Sequence, residues 1–330
     1  MHGEALAHWL PFKLTTEEDV HLCRWMFVGN KRFTEPFFDE TILWCKYFEE
    51  NKKFFKPTSS LEMLPLWSSA IKAVQPTCFI FHVSRCGSTL LSQLLALDPR
   101  HIVLSEVPLL DELLRLPFNK NKIDVEESNQ YFTEAIRFYG QKKAEDESHL
   151  FIKLDSWHLL FYDRIRALYP DIPFVILYRS PADIIRSQQR ARGMQSVPGL
   201  IEKEIFGFTE SDFSADLDLY MSRVLEKYFA QILRIMKTDT NLLVMDYDEG
   251  ILDITYRLLS LISIQPSEEY AKKMQDRMEF DGKSPSFFFQ SEEPANVDAL
   301  FLQSCQSLYK QVQEARNSSK PLQNKLHQQV

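Results

Sequence analysis

Apolar and polar positions change period repeatedly along the chain, and each change marks an element. Five short runs are almost wholly apolar: residues 78–83, 101–104, 150–155, 173–178 and 241–246. Runs of this length, rich in β-branched and aromatic residues, fit strands covered on both faces. Between them the period lengthens to that of a helix. Leu90, Leu91, Leu94 and Leu95 recur at helical spacing, as do apolar positions in 108–116, 126–143, 157–169 and 249–263. Ser211 to Lys237 is a long amphipathic segment, and a further helix is expected from about Asn296 to Ala315. Strands alternating with helices call for an α/β fold: a mostly parallel five-stranded sheet, right-handed crossovers and helices on both faces.

The pattern also divides the chain. Residues 1–75 are rich in aromatics, among them Trp9, Trp25, Phe27, Phe37 and Trp44. Thr15-Thr-Glu-Glu-Asp and Thr34-Glu-Pro-Phe-Phe look like helix starts, so this part is expected to be a helical appendage packed on the main domain. Its aromatics read mainly as core and can also shape a pocket. Residues 76–315 form the α/β domain, with 194–209 as a loop or lid. Residues 316–330 are a polar tail expected to fray.

Candidate chemistry sits where strands end. Ser84, Arg85, Gly87, Ser88 and Thr89 make a tight turn between the first strand and its helix. Such a turn aims backbone N–H groups at one point, at the positive end of a helix dipole, which suits an anion. Gly87 permits close approach, Arg85 adds charge, and Ser88 and Thr89 add hydroxyl donors. The loop departs from G-x-x-x-x-G-K-[ST], because Gly87 is followed by Ser88 and there is no lysine. Glu106 falls just past the second strand, on the edge where open α/β sheets bind ligands. Lys153 is a lone charge in an apolar run: either a snorkelling edge lysine or an ammonium pointing into a site. Arg179 ends the fourth strand. Ser180, Pro181 and Asp183 then give a capping-box-like helix start. Arg186, Arg190 and Arg192 on that helix read as a solvated face.

Composition narrows the class. The 330 residues carry a net charge of −8, which argues against a general nucleic-acid binder and makes any anion site a local basic focus. Five scattered cysteines, in no metal spacing, fit a reducing, cytoplasmic setting. No apolar run is long enough to span a bilayer, and Met1–Lys13 lacks a signal pattern.

Taken together, several of these pieces resemble the sulfotransferase family that uses 3′-phosphoadenosine 5′-phosphosulfate (PAPS), over roughly residues 76–290. Ser84-Arg-Cys-Gly-Ser-Thr-Leu-Leu91 is similar to that family's 5′-phosphosulfate loop. Tyr178-Arg-Ser-Pro-Ala-Asp-Ile-Ile-Arg-Ser187 resembles its 3′-phosphate motif, and Met245-Asp-Tyr-Asp248 its late strand end. The resemblance is closer to the bacterial, protein-tyrosine and carbohydrate branches than to the cytosolic small-molecule branch, whose loop usually has lysine and serine where this one has Arg85 and Cys86. It implies a PAPS-dependent transfer to a hydroxyl or amine of a small-molecule, carbohydrate or peptide acceptor, with adenosine 3′,5′-bisphosphate (PAP) as product and no metal required. It implies that Arg85, Cys86, Gly87, Ser88, Thr89 and Leu90 hold the 5′ end, Arg179 and Ser187 hold the 3′-phosphate, and Lys283 can cover the cofactor. The catalytic groups it implies are Glu106, Lys153 and Arg85. Two rivals stand beside it. A P-loop kinase or nucleoside triphosphatase would need a loop lysine and a magnesium carboxylate, for which Asp155 or Asp246 could only loosely serve. A non-catalytic descendant would bind the nucleotide or a partner protein without transfer.

Overall fold

A computed structural model of the protein describes residues 6–119, 123–283, 286 and 300–326. Its main sheet holds β4 (Pro76–His82), β5 (His101–Ser105), β6 (His149–Lys153), β7 (Phe174–Tyr178) and β8 (Leu242–Asp246). The order across the sheet is β5-β6-β4-β7-β8, with every neighbouring pair parallel. All residues of β5 and β7, and 78–82 of β4, are buried. That explains the unbroken apolar runs: helices cover both faces, so neither face can be polar. From β4 the chain moves two places to β5, returns to β6, and then crosses β4 to reach β7. The carboxyl ends of β4, β6 and β7 therefore flank the reversal, the usual place for a ligand crevice.

The crossover helices are α3 (Ser88–Ala96), α4 (Pro108–Arg115), α5 (Val125–Tyr139), α6 (Tyr162–Leu168), α7 (Pro181–Arg190), α8 (Lys203–Phe206) and α9 (Leu217–Thr238). Asp124 caps α5 by accepting from the Glu127 N–H, and Asp216 caps α9 by accepting from those of Asp218 and Leu219. The expected capping box at α7 does not form. Ser180 occupies the N-cap position without a side-chain cap bond, and Asp183 instead accepts from Arg186 Nη2 at 2.9 Å. After β8 come α10 (Ile251–Leu261), α11 (Glu268–Arg277) and, beyond the undescribed stretch, α12 (Gln303–Leu326). The α12 helix packs along α9 and continues through residues expected to be a frayed tail. Arg316, the first of these, is buried and paired with Glu249. The expected start of this helix, 296–299, and the end of the tail, 327–330, lie outside the described residues.

The N-terminal part corrects the expectation of a wholly helical appendage. It is a three-stranded antiparallel sheet of β1 (Trp9–Glu17), β2 (Val20–Phe27) and β3 (Thr58–Ser60), with two short helices, α1 (Phe38–Cys45) and α2 (Met63–Ser68). Glu18 and Asp19, read as helix start, are a two-residue hairpin turn with both residues left-handed, φ +47° and +64°. That geometry matches the strand twist. Trp25 on β2 packs edge-on against Phe138 of α5, 4.9 Å between centroids. Tyr139 Oη donates to the Pro11 carbonyl at 2.6 Å, and the Leu14 N–H donates to Glu112 Oε2 at 2.6 Å. One continuous apolar core spans both sheets. Among the described residues, no helix is long and apolar enough to cross a membrane.

Candidate active site

The turn after β4 is wound tightly. Ser84, Arg85 and Gly87 all have positive φ, +74°, +51° and +76°. Left-handed conformations at two non-glycine residues are uncommon and mark a loop held by its surroundings. The holding groups are explicit. The Ser84 N–H donates to His82 Nδ1 at 3.0 Å, and Ser84 Oγ accepts from Gln188 Nε2 at 3.0 Å and Gln195 Nε2 at 2.9 Å. All four side chains are buried. At Gly87 a Cβ would come within 2.4 Å of Ile251 Cδ1 and 2.9 Å of the Tyr247 ring. Gly87 is also the N-cap of α3, whose first N–H groups lack partners within their own helix. Cys86 points inward, its Sγ 3.5 Å from the Leu177 carbonyl, and burial pushes its thiol up to about 11. Its thiol is thus engaged inside the fold.

Beside this loop β5 and β6 end together, Ser105 opposite Lys153. Glu106 follows with φ +54°, and its N–H donates to the Lys153 carbonyl at 2.9 Å. This turn folds the Glu106 carboxylate back onto the Lys153 ammonium, Nζ to Oε1 2.5 Å. Lys153 is 0% exposed and lies on a strand interior to the sheet, so it is not a snorkelling edge lysine. His82 Nε2 stands 3.4 Å from the same Oε1 and donates to the Leu154 carbonyl at 2.9 Å. With Nδ1 taking the Ser84 N–H, His82 is in its neutral form, as burial also favours by lowering its pKa. Burial alone would raise Glu106. The Lys153 ammonium and His82 more than offset it and hold the carboxyl well below its usual range.

A basic wall completes the cavity, which has a volume of about 1010 Å³. Arg179, at the end of β7, donates from Nη1 to the Arg85 carbonyl at 3.2 Å and lies over the Tyr247 ring, 4.4 Å from its centroid. Residues 85–90, Glu106, Arg179, Ser187 and Lys283 all line this one cavity. Lys153 does not line it and is tied to it by way of Glu106. Arg186 and Arg190 also face the cavity, which corrects their reading as a solvated face, whereas Arg192 pairs with Asp218 at 2.6 Å. Five arginines and lysines thus converge in a chain of net charge −8.

Several lining residues were not named individually as site candidates in the sequence. His82 was one more polar residue in an apolar run, the same signal that singled out Lys153. Phe37, Trp157 and Met194 come from three distant segments that only the tertiary fold brings together. Asp155 lines the cavity too. Burial, then the nearby Glu106 and Asp111, raise its carboxyl well above the usual range. Asp111, Asp155 and His158 place ligand atoms within 4.8 Å of one another. Asp111 already accepts from Arg115, Trp157 and His158 at 2.6–2.9 Å, so this group reads as a hydrogen-bonded buttress rather than a cation site.

No protein-family model matches the chain, and no curated protein does. Solved structures do. A sulfotransferase from Mycobacterium avium matches at 11% identity with a TM-score of 0.47, over 74% of this chain and 77% of that one. A sulfotransferase from Alicyclobacillus acidocaldarius matches at 16% identity and 0.39, over 61% and 90%. A mouse sulfotransferase complexed with PAP matches at 12% identity and 0.36, over 68% and 73%. At such identities and scores the likeness assigns no role to any residue of this chain.

Proposed function

We propose that the protein transfers a sulfuryl group from PAPS to an acceptor hydroxyl or amine and releases PAP. One observation carries this reading: two clusters of N–H, hydroxyl and cationic donors at different strand ends, residues 85–90 and Arg179 with Ser187, share one cavity with Glu106 on its wall. A nucleotide bearing phosphate at both ends matches that pair. The N–H groups of 86–90 and the Arg85 guanidinium would hold the 5′ end, at the start of α3. Arg179 and Ser187 would hold the 3′-phosphate, with Arg186, Arg190 and Lys283 adding positive charge.

The donor supplies a sulfuryl group on a good leaving phosphate. The chain's task is in-line positioning and stabilisation of charge. Glu106, kept ionised by Lys153, takes the proton from the acceptor hydroxyl as the new oxygen–sulfur bond forms. The bond from sulfur to the bridging oxygen breaks, and its electron pair leaves on the 5′-phosphate beside Arg85. Lys153 keeps Glu106 anionic and adds positive charge near the leaving oxygen. A buried ion pair is costly to keep without a use, which supports a catalytic over a merely binding descendant. The kinase reading lacks free carboxylates: the Asp155 side chain caps the following turn by accepting from the His158 N–H, and Asp246 is buried and bonded to Gln313 Nε2 at 3.1 Å and Tyr309 at 3.4 Å.

Calorimetric titration with PAP and with magnesium–ATP separates the readings. PAP is expected to bind and magnesium–ATP not to. Incubation of the protein with labelled PAPS and a cell extract should then yield a labelled acceptor. Binding of magnesium–ATP without PAP would overturn the proposal.

A further inference from the structure

Asn51 mounts an exposed loop on the N-terminal sheet. It is buried, its Nδ2 donates to the Phe27 and Cys45 carbonyls, both at 2.7 Å, and its Oδ1 accepts from the Phe27 N–H at 3.0 Å. Beyond the loop, the Trp25 N–H donates to the Pro57 carbonyl at 3.0 Å. Both ends are thus fastened to β2, and Lys56 Nζ closes the base by donating to the Asn51 carbonyl at 2.8 Å. This mount presents Lys52-Lys53-Phe54-Phe55-Lys56, five consecutive exposed residues. Phe54 is 90% exposed and Phe55 85%, and the two rings meet edge-on with centroids 5.2 Å apart. Trp44 and Tyr47, 63% and 74% exposed, flank Cys45 and the exposed Lys46, and Cys45 is one of the residues that Asn51 holds. Of the nearby acids, Glu49 makes an exposed ion pair of little strength with Lys52. Glu50 is half-buried, and Asp39 and Glu40 lie in the first turn of α1, at the far end of that helix from Trp44.

We propose that this patch docks the protein on the surface of an anionic phospholipid bilayer. The proposal stands apart from the sulfuryl-transfer reading. Its loop is fastened at both ends, so the two phenylalanines are held outside the fold rather than left there by a loose chain. The composition selects the occupant. The core of a protein–protein interface is depleted in lysine. A membrane-surface site instead sets lysines beside aromatic rings, with the rings at the boundary of headgroups and acyl chains and the ammoniums on the phosphates. Among the described residues no helix is long and apolar enough to cross a membrane, so the contact proposed is peripheral. Phe37, the N-cap of α1, lines the large cavity, and Trp44 stands near the other end of this eight-residue helix, about 12 Å long. Docking there would hold the cavity close to the lipid surface.

Flotation of the full chain with vesicles tests this, using phosphatidylcholine alone and phosphatidylcholine with about 30% phosphatidylserine, in about 0.1 M and about 0.5 M salt. The protein should bind the anionic vesicles at least about fivefold more tightly than the neutral ones, and the higher salt should narrow the gap. Lys52→Gln/Lys53→Gln should weaken binding to the anionic vesicles by about fivefold for each lysine. Phe54→Ser/Phe55→Ser should weaken it by at least about tenfold. The four side chains are exposed, so both variants should melt as the wild type does, and either one alone can decide the outcome. No flotation with the anionic vesicles, equal flotation with both kinds, or flotation that survives in either double variant overturns the proposal. So does a dimer in size-exclusion chromatography that Phe54→Ser/Phe55→Ser abolishes, with no vesicle binding, because the patch would then join two copies of this chain.

Discussion

Lys153 is wholly buried, and its one ion pair among the described residues is with Glu106, so neutralising either partner leaves the other charge stranded. Glu106→Gln keeps shape and an oxygen for Lys153 while removing the proton acceptor. PAP affinity should stay within about twofold, and turnover should fall by about 10²–10⁴, read by calorimetry and by transfer of labelled sulfate. Wild-type turnover in this variant would remove Glu106 from the reaction. Lys283 gives a pH signature. Its ammonium is depressed to about 8, first by burial and then by Arg85, so it is charged below that pH and neutral above it. PAP affinity should therefore fall as pH rises through about 8, and Lys283→Met should flatten that limb in titrations from pH 7 to 9. At this scale the sequence exposed charges that stand alone in apolar runs. It could not show that Lys153 faces Glu106, because that depends on the register of β5 against β6 and on a left-handed residue that is not glycine.

Among the elements, the units β4–turn–α3 and β7–α7 carry the nucleotide proposal. Both were legible, because an apolar run followed by small polar residues and then a leucine or isoleucine period has few other readings. Arg179→Ala should weaken PAP binding by about 2–4 kcal/mol, the cost of a charge-assisted phosphate contact, and calorimetry that finds no loss would detach β7 from the site. The β1–β2 hairpin was not legible. Its turn is Glu18-Asp19, with neither glycine nor asparagine to announce two left-handed residues, and the acids mimic a helix start. The tie between the turn after β4 and the segment 188–195, at the end of α7 and just beyond it, was equally hidden, since it runs through two buried glutamines, Gln188 and Gln195, that look like surface residues in the sequence.

Over the whole molecule, the N-terminal sheet is joined to the α/β domain through apolar packing and a few buried polar bonds, of which Glu112 to the Leu14 N–H is titratable. Burial raises Glu112 from 4.5 to about 7. A carboxyl raised on folding favours the folded state below its unfolded pKa, and that advantage is lost as pH rises through the folded value. Wild-type protein should thus lose about 1–3 kcal/mol between pH 4.5 and 7.5 relative to Glu112→Gln, which keeps the acceptor oxygen. Parallel melting curves for the two proteins over this range would contradict that. Sequence pattern was enough for the parallel sheet and the basic cavity at its carboxyl edge. A smaller cavity beside it, of about 400 Å³, was not legible, because it is built where α1, from the N-terminal part, meets residues near 106–111, 155–157 and 194. The most direct test of the account is the crystal structure of the protein with PAP. One molecule is predicted, its 5′-phosphate against residues 85–90 and its 3′-phosphate within hydrogen-bond distance of Arg179 and Ser187. PAP bound elsewhere, or at only one of these clusters with the other left untouched, would contradict it.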